Sequence, residues 1–282
     1  MESIVKLHGE YRNKTRNRKW DISLKGEFFA SGFNAGDYSA SANLARTLNK
    51  KWGEIKLFFI NSNRTPSFIF DGRSSFNYSY PGSFKKENIV SFGAEANNSF
   101  IQLKFANHLI TNYTYFENYY TPAQTGKLIN IVQVSASKKV KLYRRWNLYV
   151  DATLQQTDAS SAIKVPFIYT RSRIAYEGQF YKNLNLSTGL EIRYFTPFDA
   201  YNYSPIMGQF VPQDSVKLKN LPDIHAFLHF RIKSFTGFIR TENLNTLYLK
   251  NGFSFVNNNY ATPLIPTAGM IFRLGIRWWF VN

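Results

Sequence analysis

The sequence predicts an all-β protein, an antiparallel transmembrane β-barrel, on three observations. Apolar and polar residues alternate strictly along most of the chain, the pattern of strands whose two faces meet different environments. The alternating segments run about 9–12 residues, the length of a tilted strand across a bilayer. The connections between them are alternately short and long, as the two ends of a membrane barrel require. A water-soluble sandwich also alternates its faces, but nothing in it makes successive loops differ in length. Its polar faces would also meet bulk water, whereas these carry Gly, Ser, Asn, Gln and aromatics among the charges.

Thirteen strands are expected, near 2–13, 20–30, 38–48, 54–62, 87–96, 99–109, 128–138, 146–156, 167–180, 184–195, 223–233, 235–245 and 268–281. In the second, Trp20, Ile22, Leu24, Gly26 and Phe28 oppose Asp21, Ser23, Lys25, Glu27 and Phe29. In the eighth, Trp146, Leu148, Val150, Ala152 and Leu154 oppose Asn147, Tyr149, Asp151, Thr153 and Gln155. The tenth sets Leu184, Leu186, Leu190, Ile192 and Tyr194 against Asn185, Ser187, Gly189, Glu191 and Arg193. The eleventh sets Ile224, Ala226, Leu228, Phe230 and Ile232 against His225, Phe227, His229, Arg231 and Lys233. The last is an aromatic stripe, Met270, Phe272, Leu274, Ile276, Trp278 and Phe280, opposite Arg273, Gly275 and Arg277. Trp20, Trp52, Trp146, Tyr194, Trp278 and Trp279 stand near strand ends, where interfacial aromatic girdles form.

Short connections are expected near 14–19, 49–53, 97–98, 139–145, 181–183 and 234. Long ones are expected near 31–37, 63–86, 110–127, 157–166, 196–222 and 246–267. No linker or repeat divides the chain, so residues 1–282 read as one barrel domain. Bacterial barrels close on an even strand number with both ends in the periplasm. Thirteen strands therefore imply that the domain is incomplete at its N-terminus, with at least one strand and a signal peptide preceding Met1.

Composition narrows the function classes. The chain has 18 Tyr, 26 Phe and 5 Trp among its 282 residues, too much apolar surface for a disordered segment. It has no cysteine, which removes disulfide frameworks, thiolate metal sites and thiol nucleophiles. The longest apolar runs are four residues, such as Leu57–Ile60, far short of the ~18 that a spanning helix needs.

The net charge of +17 has a definite distribution. By strand parity the polar faces hold thirteen basic and nine acidic residues. The lumen-facing charged wall is read as Arg171, Arg173, Arg193, Arg231, Arg240, Arg273 and Arg277 with Glu177, Glu191 and Glu242. Leu228, Phe230, Ile232, Phe272, Leu274, Ile276, Trp278 and Phe280 are read as membrane-facing. Arginine is expected to be costly at Leu228, Phe230 or Leu274 and tolerated at Gly189 or Thr153. A further basic set lies in short turns and strand ends: Lys14, Arg16, Arg18, Lys19, Arg46, Lys50, Lys51, Lys138, Lys139, Lys141, Arg144, Arg145 and Lys182. That rim suits either anionic lipid headgroups or plain solvation, and no nucleic-acid partner is expected.

Catalytic readings are weak. His225 and His229 share a strand face but stand about 13 Å apart at a rise of ~3.3 Å per residue, too far for one metal. His8 and His108 are isolated, and no nucleophile elbow, phosphate loop or zinc motif occurs. Glu177 and Glu191 could form a hydrolytic pair across strands, but Arg171, Arg173 and Arg193 nearby make charge balance the simpler role.

A series of segments in the second half carries a family likeness. Tyr115-Phe116-Glu117 and Pro122-Ala123-Gln124 lead to Leu154-Gln155-Gln156 and Val165-Pro166-Phe167. Phe180-Tyr181-Lys182-Asn183-Leu184 and Thr188-Gly189-Leu190-Glu191-Ile192-Arg193-Tyr194 follow. Then come Tyr203-Ser204-Pro205-Ile206-Met207-Gly208-Gln209-Phe210, Leu221-Pro222-Asp223 and Phe272 through Phe280. This order resembles the putative porin family of Bacteroidetes-type outer membranes.

The expected function is an outer-membrane channel for passive diffusion of small solutes, weakly preferring anions and using no cofactor and no catalysis. Expected partners are outer-membrane lipids, small hydrophilic solutes, and the barrel-assembly machinery through Phe272–Phe280. Competing readings are a plug-gated transporter barrel, a barrel-type adhesin or secretion partner, and a soluble β-sandwich that binds glycans through Tyr-rich loops such as Tyr113–Tyr120.

Overall fold

The computed structural model describes residues 3–16, 19–49, 51–74, 83–158, 160–250, 254–256 and 259–280. Thirteen long strands occur where alternation is strongest. They are β1 (Lys6–Lys14), β2 (Trp20–Phe29), β3 (Tyr38–Asn49), β4 (Gly53–Arg64), β5 (Glu87–Asn97), β6 (Gln102–Thr111) and β7 (Ile129–Tyr143). After these come β8 (Trp146–Gln156), β9 (Ile168–Phe180), β10 (Leu184–Phe195), β11 (Asp223–Ile232), β12 (Phe235–Glu242) and β13 (Ile271–Trp278). They form one antiparallel sheet in sequence order, so each strand pairs with its neighbour in the chain. No helix among the described residues is long and apolar enough to cross a membrane.

The turns are built from unusual backbone. Arg144, between β7 and β8, has φ 35°, Tyr181 and Lys182, between β9 and β10, have φ 46° and 62°, and Lys233, between β11 and β12, has φ 51°. Tight hairpins need this left-handed backbone to match the twist of their strands. These turns use charged or aromatic residues where glycine is the easier choice. Gly53, with φ 68°, meets the need at the first residue of β4, and any Cβ there would lie 1.9 Å from the Asn97 carbonyl oxygen.

The long connections carry small two-stranded hairpins of their own, at Tyr113–Phe116 with Pro122–Thr125 and at Asn202–Ser204 with Gln209–Val211. Two more pair Leu247–Tyr248 with Ser254–Phe255 and Tyr260–Thr262 with Ile265–Pro266. Two single-turn 3-10 helices, Phe68–Phe70 and Leu244–Thr246, complete them. Alternation does not reveal these elements.

Two compact units are distinguished. The first comprises 1–135, 155–165 and 199–216, and the second 136–154, 166–198 and 217–282. The buried apolar cluster of the first lies in its loops: Phe116, Met207 and Val211, with Ile69 and Phe70 against them. Its loops are also tied by Asp37, which accepts hydrogen bonds from Lys86 Nζ at 2.6 Å and from the Thr65 amide and hydroxyl at 2.9 and 2.8 Å. Burial pushes the Asp37 carboxyl up, but Lys86, Thr65 and Asn34 together outweigh it and hold the group below the ordinary carboxylate range.

Around Glu191 on β10 the usual relation of polarity to burial is reversed. Leu190 and Ile192 on β10 are 44% and 43% exposed, while Glu191 between them is 3% exposed. On β13, Leu274 and Ile276 are 67% and 72% exposed. A strand that shelters its charges and exposes its aliphatics fits a hydrocarbon solvent on the apolar side, since no large apolar face is stable against water.

Three expectations need correction. Lys139 and Lys141 do not lie in a turn, because β7 continues to Tyr143 and leaves only Arg144 and Arg145 to connect to β8. Val140 and Leu142 keep the alternation going beneath the lysines, so the charge run is strand rather than loop. Gly189 has no room for arginine: a Cβ there would lie 1.9 Å from the Ile174 carbonyl oxygen of the neighbouring strand. The 3-10 turns also add short helical pieces that the alternation omits. The rim residues Arg18 and Lys50 lie outside the described residues, as do Val281 and Asn282.

Candidate functional site

The charged face of the second unit is assembled by strand register. Antiparallel pairing sets Arg171 on β9 directly opposite Arg193 on β10, and Arg173 opposite Glu191. It also sets Arg240 on β12 opposite Arg273 on β13. Like charges facing each other across a ladder are destabilising. Each arginine pair is therefore held by one carboxylate. Glu191 accepts from Arg171 Nη2 at 2.6 Å, from Arg193 Nη2 at 2.6 Å and Nε at 2.9 Å, and from Arg240 Nη2 at 3.3 Å. Glu242 lies 3.0 Å from Arg240 Nε and 3.2 Å from Arg273 Nε.

Between the two pairs runs β11, where His225 stands opposite Glu191 and is 5% exposed. Its Nδ1 accepts the Asn243 backbone N–H at 3.2 Å. That bond assigns the proton of the neutral ring to Nε2, which has no partner among the described residues.

A second network lies along β7–β9. Glu177 accepts from the Tyr149 hydroxyl at 2.8 Å, Asn147 Nδ2 at 2.7 Å and Lys139 Nζ at 3.4 Å. Arg173 stacks over Tyr149 with its guanidinium carbon 4.2 Å from the ring centroid, and 5.6 Å from that of Phe227. Glu177 faces Ser187 in register, four pairs from the Arg173–Glu191 pair. At ~3.3 Å per residue this puts about 13 Å between the two glutamates, outside both hydrolytic geometries. Glu177 and Glu191 are too far apart to act as an acid–base pair.

Of the residues expected on the charged wall, six are brought into one chain of ion pairs: Arg171, Arg193, Arg240, Arg273, Glu191 and Glu242. Arg173 and Glu177 belong to the neighbouring network. Arg231 and Arg277 stand apart from both. Arg231 Nε donates to the Lys233 carbonyl at 3.1 Å, and Arg277 stacks on Trp279 at 3.7 Å. Of the residues expected to face lipid, Ile232, Phe272, Leu274, Ile276, Trp278 and Phe280 are exposed. Leu228 and Phe230 are half-buried, and the Phe230 ring covers Gly237. Sequence reasoning missed Lys139 as part of the charged face, although its parity, opposite to that of Val140 and Leu142, shows it. Tyr149 and His225 were on the right face, but only the cross-strand register shows what they touch. His225 and His229 hold no metal arrangement with any neighbour among the described residues.

The first unit has a separate cavity of about 340 Å³ among its long loops, lined by Arg64, Phe70, Glu87, Tyr113, Tyr115 and Phe210. Glu87 accepts Arg64 Nε and the Thr114 amide, each at 2.8 Å, and so is fully engaged. Burial pushes the Tyr113 phenol up to about 12, which keeps it neutral.

A family model described as a putative porin matches residues 1–282, the whole chain. The chain belongs to the putative porin family. Among curated proteins none matches it. Solved structures share the porin chain's fold at low identity. The ferric enterobactin receptor of Pseudomonas aeruginosa, as a point mutant, matches with TM-score 0.67 and 13% identity, over 98% of this chain and 45% of its own. The siderophore receptor of Acinetobacter baumannii matches with TM-score 0.65 and 11% identity, over 98% and 46%. A copper transporter matches with TM-score 0.66 and 13% identity, over 98% and 48%. The chain thus spans a little under half the length of the structures it resembles. The porin's fold is that of outer-membrane barrels, and its location is the outer membrane.

Proposed function

We propose that this porin chain forms part of the wall of a passive outer-membrane channel for small hydrophilic solutes, with a weak preference for anions. One observation carries the reading. Alternate residues of β9–β13 put a band of arginines on one face and exposed aliphatic and aromatic side chains on the other. A wall with water on its charged side and hydrocarbon on its apolar side excludes solutes by width and biases them by charge. No step in this function needs a cofactor or a catalytic group. Lipid acyl chains are the partners of the Phe272–Ile276 face, and the same C-terminal strand, through Phe280, is the segment offered to the assembly machinery. The basic turns would add about 1 kcal/mol per charge against anionic headgroups.

A second reading has one observation in its favour. The matched structures include a ferric enterobactin receptor and a copper transporter, and on this reading the chain is the barrel portion of a gated transporter. Planar-bilayer recording of the full-length protein decides between them. A passive channel gives steady conductance with a reversal potential displaced toward the chloride equilibrium potential in a KCl gradient. A cation-selective pore would refute the anion preference, and no conductance at all would favour the gated reading.

A further inference from the structure

The four arginines bridged by Glu191 and Glu242 are arranged in a way that charge balance alone does not require. Two guanidinium pairs stand directly opposite each other in register, Arg171 with Arg193 and Arg240 with Arg273. Glu191 and Glu242 hold the four guanidinium groups, and Asp151 opposite Arg171 and Asp223 opposite Arg193 balance their charge, so what distinguishes the group is its free donors and not its net charge. Each guanidinium has five N–H donors in a rigid fork, and the contacts to Glu191 and Glu242 use only one or two of them. Arg171, Arg193 and Arg273 are each more than a third exposed on the charged face, so the remaining donors are open to a solute.

Other residues of the same face point the same way. Glu191 is nearly fully buried and engaged by three arginines, so it acts as a fixed anchor that orients the forks rather than as a free acceptor. His225, directly across from it, is also more than nine-tenths buried and keeps an Nε2–H donor with no acceptor among the described residues. A buried donor without an acceptor is an uncompensated desolvation cost. An oxygen acceptor brought to this face would satisfy it.

We propose that this cluster is a binding subsite for oxyanions, and that the solutes it selects carry a phosphate or carboxylate group. Planar forks facing each other across one ladder step match the paired oxygens of these groups, whereas a halide has no such geometry. Arg171 and Arg193 make the primary contact, Arg240 and Arg273 extend it, and His225 supplies a neutral donor beside them. The proposal rests on the channel reading for its role in transport, but binding itself does not depend on conductance.

The test uses the full-length protein in detergent micelles and in planar bilayers. Inorganic phosphate and succinate are the two probes, which separate phosphate from carboxylate chemistry. Phosphate should show saturable ³¹P line broadening in micelles, and in bilayers either probe should reduce chloride current in a saturable way. Arg193→Gln should weaken this about tenfold, the loss of one charge-assisted hydrogen bond. Lys182→Gln, which removes one positive charge from a turn, should leave it unchanged. Where Arg193→Gln fails to fold, Arg193→Lys keeps the charge, loses the fork, and should weaken binding in the same direction. Broadening and block that never saturate, or that respond equally to Lys182→Gln and Arg193→Lys, overturn the subsite. Saturable phosphate binding in a protein that conducts no current would overturn the channel reading and leave the subsite standing.

Discussion

Single residues here are constrained most where backbone meets backbone. Gly189 and Gly26 both sit in strand interiors, yet a Cβ at Gly189 would strike the Ile174 carbonyl oxygen while one at Gly26 meets nothing within 4 Å. Gly189→Ala should therefore destabilise the protein by about 1–3 kcal/mol, the ordinary cost of overpacking. Gly26→Ala should be neutral or slightly stabilising through the unfolded chain. Urea unfolding followed by tryptophan fluorescence reads both, and equal midpoints would show that the close approach at Gly189 is relieved by strand movement. Asp37 is a different kind of constraint, an ionised carboxylate tying two long loops. Its folded form holds a proton less readily than the unfolded chain does. The stability it adds is complete above the ordinary carboxylate value near ~3.9 and is lost as pH falls through the depressed value. Hydrogen exchange at the Thr65 amide, corrected for its intrinsic rate, should lose protection over that acidic range. In Asp37→Asn the dependence should vanish.

At the scale of the element, the strands were legible because one face of each meets an apolar environment. That produces a period of two which no turn chemistry can imitate. The eighth strand was expected at 146–156 and occupies Trp146–Gln156, and the tenth, expected at 184–195, occupies Leu184–Phe195. Ends failed where a local feature stopped the ladder. β12 ends at Glu242 because Asn243 adopts φ 58°, a left-handed conformation that the residue type permits but does not dictate. The loop hairpins were illegible for another reason. The one around Phe116 is held by Met207 and Val211, some ninety residues away, and no local pattern encodes that contact. The Arg–Glu cluster falls between these cases, since parity placed every member on the right face but only register showed which arginines share a glutamate. The face assignment itself is open to test on β13. Leu274→Arg should cost about 2–4 kcal/mol near the bilayer midplane, whereas Thr153→Arg on the opposite parity of β8 should cost much less. Folding yield into liposomes, scored by heat-modifiable gel mobility, compares them. Similar yields would show that the parity assignment is wrong.

For the whole molecule, the consequence of the charge distribution is a field rather than a set of contacts. The polar faces were counted with thirteen basic and nine acidic residues, and Lys139, now placed beside Glu177, adds to the basic side. Most of the acidic groups are engaged by two or more cations or donors, as Glu191 and Glu177 are, so the remaining field belongs to the arginines. Arginine keeps its charge at every usable pH. A fixed positive wall raises the local concentration of anions over a distance set by the Debye length, about 10 Å at 0.1 M salt and about 30 Å at 0.01 M. A channel several ångströms wider than the shorter length would discriminate weakly at 0.1 M and more strongly as salt is lowered. The chloride-to-potassium permeability ratio of the full-length porin should therefore rise steadily between 1 M and 0.01 M KCl, with the gradient held at a constant ratio. Substituting glutamine at Arg173 and Arg231, which lie on the charged face outside the Glu191 cluster, should flatten that rise without abolishing conductance. A permeability ratio independent of salt would locate the selectivity in a narrow contact and not in the field of the wall.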